Sequence, residues 1–188
     1  MKKMKKVGKW VLAAQKYWIQ NKKERISIFI AIGLAVVIIV SGIWKYAHID
    51  PGVFHTRQFK FSFMNYGSLA RIALFVVLAY YVILLILQKR LLDQWNTLKK
   101  WVISLSRLAR RLHTPMALIA IGLIWVHVIG AFLYGFKLNF SNLSGLLALL
   151  VLLPVPVSGL FRYRRMDRKW HLRCGIAFAV LFLIHAFV

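Results

Sequence analysis

The side chains able to hold a metal or pass a proton are few in this 188-residue chain: six histidines, one cysteine and four carboxylates. Four of the histidines form two pairs, His113 with His127 and His171 with His185, and fourteen residues separate the members of both pairs. At about 100° per residue, that interval returns the second ring to within roughly 40° of the first, so each pair shares one helix face. The rise of about 1.5 Å per residue sets the two rings roughly 21 Å apart along the axis. Cys174 stands alone, which excludes an intrachain disulfide, a CxxCH haem attachment and an iron–sulfur cluster built from this chain. It reads as a small apolar filler.

The elements that must position these histidines are membrane helices. The chain is 61% hydrophobic with a mean hydropathy of +0.68, a composition that cannot supply the surface of a soluble domain. Apolar stretches of spanning length occur at residues 26–46, 67–88, 113–136, 143–161 and 169–188. The fold class expected is an all-α polytopic membrane bundle of five transmembrane helices, with basic amphipathic helices at the cytoplasmic interface. Four regions follow from this: a basic amphipathic segment at 1–25, two spans and an outer loop at 26–90, an amphipathic linker at 91–112, and three spans at 113–188.

Charge orients the spans. Lysines and arginines crowd the stretch before the first span, the linker between the second and third (Lys89, Arg90, Lys99, Lys100, Arg107, Arg110, Arg111) and the loop between the fourth and fifth (Arg162, Arg164, Arg165, Arg168, Lys169, Arg173). The alternate loops hold only Lys45, Arg57, Lys60 and Lys137, with Arg71 just inside the second span. The positive-inside rule then places the N-terminus in the cytoplasm and the C-terminus outside a cell membrane. The net charge of +23 reflects these blocks and their contact with membrane lipid, and no nucleic-acid partner is expected. The first apolar run lacks a small-residue cleavage site and is not read as a signal peptide. Asp50-Pro51-Gly52 marks a turn in the outer loop, and Pro154 and Pro156 predict a bend in the fourth span.

The third and fifth spans run in the same direction. Packed side by side, they bring His113 level with His171 and His127 level with His185. Two imidazoles facing each other at each of two depths is the arrangement that ligates a b-type haem through both axial positions. A hydrogen bond between helices explains a single intramembrane histidine, but not four at matching depths. A proton pathway would lack its usual carboxylates. Ala117, Ala120, Ile124 and Ala131 share the face of the first pair, and Gly175, Phe178 and Phe182 that of the second. The small residues leave room for a macrocycle or serve helix packing. The two phenylalanines lie between the levels. Arg107, Arg110, Arg111 and Arg173 are candidate partners for the propionates of an inner haem, and Arg71 for those of an outer one.

The sequences RRLHTPMALIAIGLIWVH and RRMDRKWHLRCGIAFAVLFLIH, within about Arg107 to His185, resemble the ferric reductase-like transmembrane domain. That superfamily includes the membrane parts of NADPH oxidases, ferric reductases and the haem-binding subunit of methionine sulfoxide reductase systems. The resemblance implies two haem b groups held by His113, His127, His171 and His185, and electron transfer through the membrane. Members usually have six spans, and this chain ends three residues after His185 without a flavin- or nicotinamide-binding domain. A separate flavoprotein or quinol is therefore the expected donor on the cytoplasmic side, with an acceptor outside and room for a partner membrane subunit or a second copy. Oxidoreductase activity in the chain itself stays open. The rival readings are a metal or haem transporter subunit or assembly factor, and the cytochrome subunit of a larger complex. His48 and His55 in the outer loop are candidate ligands for a metal substrate or innocuous solvated residues.

Overall fold

The computed structural model describes residues 21–162 and 168–187. Most of the amphipathic segment expected at 1–25, with Met4, Val7, Val11, Ala14 and Trp18, lies outside the described residues, as do Arg164 and Arg165. The described residues form six α-helices: α1 (Lys22–Ala47), α2 (Arg57–Gln88), α3 (Asn96–Gly135), α4 (Phe140–Leu152), α5 (Pro154–Arg162) and α6 (Arg168–Phe187). With α4 and α5 counted together as Phe140–Gly159, five stretches are long and apolar enough to cross a membrane. The all-α membrane bundle expected from the sequence is the architecture found. The helices divide into two compact units, one of Ile26–Lys137 and one that includes Leu138–Val188.

In the first unit, α2 and α3 pack as an antiparallel hairpin and α1 lies against α3. The turn between α1 and α2 is built locally. Asp50 Oδ1 accepts from Gly52 N at 2.9 Å, and Thr56 caps α2 by accepting from Phe59 N at 3.3 Å. That cap starts α2 at Arg57, ten residues before the apolar stretch at 67–88, because Phe59 and Phe63 one turn apart already bury themselves against Tyr46 and Val126. Three residues of α3 at four-residue spacing meet the other helices. Gly122 meets the backbone of Ala35, Val126 meets Gly42, and Gly130 admits Phe63 and the Tyr46 hydroxyl. Small residues at such crossings are what bring membrane helices together.

At the other end of the hairpin, Lys89 N bonds Leu85 O at 2.9 Å and Arg90 takes a left-handed conformation with φ 55°, which closes α2. Asp93 accepts from Lys99 Nζ at 2.7 Å, and this hydrogen bond holds its carboxyl below the ordinary carboxylate range. The amphipathic linker is not a separate interfacial helix. From Asn96 it is continuous with the third span in a helix of 40 residues, roughly 60 Å long and about twice the hydrocarbon thickness. Pro115 lies within α3 without breaking it, since losing one N–H is tolerated where the flanking turns hold.

In the second unit, Asn139 caps α4 by accepting from Asn142 N at 2.9 Å, and both α4 and α5 pack on α6. The fourth span is interrupted at Leu153, where Pro154 and Pro156 remove two closely spaced donors from the helical ladder. The prolines thus mark a break in the helix where the sequence predicts a bend.

The α1–α3 crossing yields a measurable expectation. A Cβ on Gly122 would lie 3.1 Å from Ala35 Cα, whereas one on Gly33 meets nothing within 4 Å. Gly122→Ala should lower thermal stability in detergent by about 1–3 kcal/mol and Gly33→Ala should not. Equal melting of both variants would contradict this packing.

Candidate functional site

All four paired histidines are half-buried, and each is held by a helix packed against its own. In the first unit, His113 Nδ1 lies 3.2 Å from Val77 O and His127 Nδ1 lies 3.1 Å from Phe63 O, both on α2. In the second, His171 Nδ1 lies 3.1 Å from Val155 O on α5 and His185 Nδ1 lies 2.9 Å from Ser141 O on α4. A carbonyl oxygen can only accept, so Nδ1 must carry the proton and donate. In the neutral ring the lone pair then sits on Nε2. This is the tautomer of a metal-ligating imidazole oriented by a backbone carbonyl.

The acceptors repeat the histidine interval. Val77 and Phe63 are fourteen residues apart, and so are Val155 and Ser141. Each unit therefore carries the same device: two carbonyls on the incoming helix, two imidazoles on the returning one. The likeness extends to neighbouring residues. Ser144 Oγ donates to Ser141 O at 2.8 Å, and Ser158 Oγ donates to Val155 O at 2.8 Å, three residues beyond the acceptor in both cases. Ser158 Oγ is also 3.2 Å from His171 Nδ1. On α2 the equivalent positions are Tyr66 and Tyr80, and the Tyr80 ring lies 5.4 Å from that of His113. Sequence reasoning missed these acceptor positions. Their trace was legible in the Ser-Gly dipeptides 144–145 and 158–159, again fourteen residues apart.

His48 and His55 also direct Nδ1 at carbonyls, but in exposed surroundings. His48 bonds Trp44 O at 2.9 Å within its own chain segment, and His55 bonds Tyr134 O at 2.8 Å, tying the loop to the end of α3. No three His, Cys, Asp or Glu side chains converge on a metal-ion cage among the described residues. A haem held by two axial imidazoles needs no such cage.

The arginines divide by position. Arg107, Arg110 and Arg111 are exposed on α3 before His113. At about 100° per residue, Arg111 leaves α3 from the far side relative to His113, and Arg173 leaves α6 from the far side relative to His171. Arg110 shares the face of His113. Arg71 differs from all of these. It is half-buried in α2 one turn beyond Gly67, and it makes no hydrogen bond or ion pair with any described residue. A guanidinium within a membrane helix needs an anionic or polar partner.

A Cβ on Gly175, one turn from His171, would meet nothing within 4 Å, so packing among the described residues does not require a glycine there. Ala120 is fully buried, and Phe178 and Phe182 stack in the interior at 5.9 Å between centroids. Within each unit the two carbonyls leave two Nε2 atoms as possible axial ligands, which is the donor chemistry a b-type haem would need. No family model matches the chain, and no curated protein or solved structure matches it either.

The tautomer can be observed directly. In haem-free protein labelled with 15N-histidine, His113, His127, His171 and His185 should each show a protonated Nδ1 and an unprotonated Nε2. An unprotonated Nδ1 in these rings would contradict the carbonyl contacts.

Proposed function

We propose that this chain is a diheme b-type cytochrome that conducts electrons across a cell membrane. The observation that carries the reading is the set of four half-buried imidazoles, each donating Nδ1–H to a backbone carbonyl, with ligands and acceptors both at fourteen-residue intervals. Hydrogen bonds between helices alone would not require the fourteen-residue histidine interval to recur in both units. Nor would they require the same tautomer four times.

In this reading His113 and His171 hold one haem at the basic end of the spans, and His127 and His185 hold the other near the opposite end. When bound, the haems supply one-electron redox chemistry. The chain's own residues do the rest. The carbonyls of Val77, Phe63, Val155 and Ser141 hold each ring in the ligating tautomer and limit its rotation. Arg110 is the best placed of the basic-end arginines to receive a propionate, with Arg107, Arg111 and Arg173 contributing longer-range positive charge. Arg71 serves the second level, where it balances carboxylate charge that would otherwise be costly at that depth. The apolar helices keep water from the ligands.

The distribution of lysine and arginine orients the protein with its N-terminus and the His113 end in the cytoplasm. Electrons enter there from a separate flavoprotein or quinol and leave at the outer face. The acceptor and any partner subunit or second copy lie outside this chain. The likeness of the two histidine-bearing spans to the ferric reductase-like transmembrane domain belongs to the same proposal. A metal- or haem-handling module would bind its ligand exchangeably, and no described feature favours it over fixed axial ligation.

Protein expressed with ample haem should bind about two haems per chain and show low-spin reduced b-type bands. His127→Ala or His185→Ala should abolish one low-spin component and spare the other, and His113→Ala or His171→Ala should do the reverse. Unchanged spectra in all four variants would contradict the assignment. Arg71→Leu should reduce retention of the haem at the His127 level by about tenfold or more, for a lost charge-assisted hydrogen bond of roughly 1.5–3 kcal/mol.

A further inference from the structure

Three of the four carbonyls that hold the histidines share one feature. Phe63, Ser141 and Val155 are each followed four residues later by a glycine: Gly67, Gly145 and Gly159. The spacing has a physical reason. In an α-helix the carbonyl of residue i points along the axis toward residue i+4, and the side chain of residue i+4 leans back over the turn that carries it. That side chain ordinarily screens the second lone pair of the oxygen. With hydrogen in its place, a donor from a neighbouring helix can approach.

The imidazoles occupy this cleared ground. A Cβ on Gly67 would come within 2.7 Å of His127 Nδ1, and one on Gly145 within 2.7 Å of His185 Cε1 and 2.9 Å of its Nδ1. A Cβ on Gly159 would lie 3.3 Å from His171 Cε1, a tighter contact than most but one that a small ring displacement relieves. The fourth acceptor breaks the pattern. Tyr81 stands four residues after Val77, and the contact from His113 to Val77 O is the longest of the four at 3.2 Å.

We infer that Gly67, Gly145 and Gly159 are positioning residues, which hold His127, His185 and His171 in the ligating tautomer by opening a backbone carbonyl to each ring. The inference deepens the diheme reading and rests on it for the word ligating. The seat itself is a property of the protein without haem. Each glycine acts only through its histidine, so its loss should alter how one ring is protonated and aimed while leaving the helices in place. His113, whose seat lacks the glycine, makes the longest of the four contacts.

The full chain with 15N-labelled histidine, purified without haem, supplies the test. Gly67→Ala should displace the His127 resonances from the Nδ1-protonated pattern, and Gly145→Ala those of His185. Gly159→Ala should give a smaller displacement at His171, and Gly33→Ala, which meets open space, should leave all histidines unchanged. In haem-loaded protein, Gly67→Ala and Gly145→Ala should each perturb the same low-spin component as loss of the attached histidine. Unaltered His127 and His185 resonances in folded Gly67→Ala and Gly145→Ala would overturn the inference. If far-UV circular dichroism shows that either variant has lost its helices, Gly159→Ala decides instead, and an unaltered His171 resonance there overturns the inference equally. Displaced resonances in a protein that never takes up haem would sustain the seats and refute the diheme reading alone.

Discussion

A polar N–H carried into hydrocarbon must find an acceptor inside the protein, because no water is there to supply one. An unmet donor in that setting costs several kcal/mol. A histidine in a membrane helix faces this demand directly, while the helical carbonyls around it are already engaged with their own ladders. A second donor can reach such an oxygen only where the covering side chain is small and the two helices run close. The contacts between Nδ1 and carbonyl in both units meet this constraint, and much of the local design follows from it. They require close antiparallel helices, acceptors at the same interval as the histidines, and glycine beside the acceptor in three of four cases.

The same constraint links folding to chemistry. Burying a neutral imidazole with its Nδ1 proton satisfied leaves the Nε2 lone pair as the group with ligating capacity, so the interaction that makes the residue tolerable in the membrane also leaves it able to act as a metal ligand. The serine hydroxyls of Ser144 and Ser158, donating to the acceptor carbonyls, add further ties around the seats in the second unit. In the first unit, aromatic neighbours take their place, with Tyr80 beside His113 and Phe63 beside His127 at 5.7 Å. Two units thus reach one end by different side chains, and the backbone contact is what they share.

Much of this was legible in the sequence, and the reasons for what was missed are specific. Span length and charge placement gave five membrane helices because hydropathy over about twenty residues depends on no tertiary contact. Pro154 and Pro156 announced the break in the fourth span for an equally local reason. The histidine interval could be read because a helix converts spacing into angle. The early start of α2 at Arg57 was hidden, since Lys60 and Asn65 mask the Phe59 and Phe63 stripe that anchors it. The continuity of α3 from Asn96 through His113 was hidden by the change from amphipathic to uniformly apolar sequence, which alters the surroundings of a helix without ending it. Acceptor carbonyls carry no residue identity at all. Only the glycines beside them leave a mark, and a glycine in a membrane span is ordinary until its neighbour is known.

The proposed diheme function requires the Nε2 atoms of these four histidines to bind haem iron in pairs. Electron paramagnetic resonance of the oxidised, purified protein, expressed with ample haem, tests it most directly, because bis-imidazole ferric haem gives a low-spin signature distinct from that of a single axial ligand. Two low-spin components integrating to about two spins per chain are the expected result. A high-spin signal alone, or no haem signal, would contradict it.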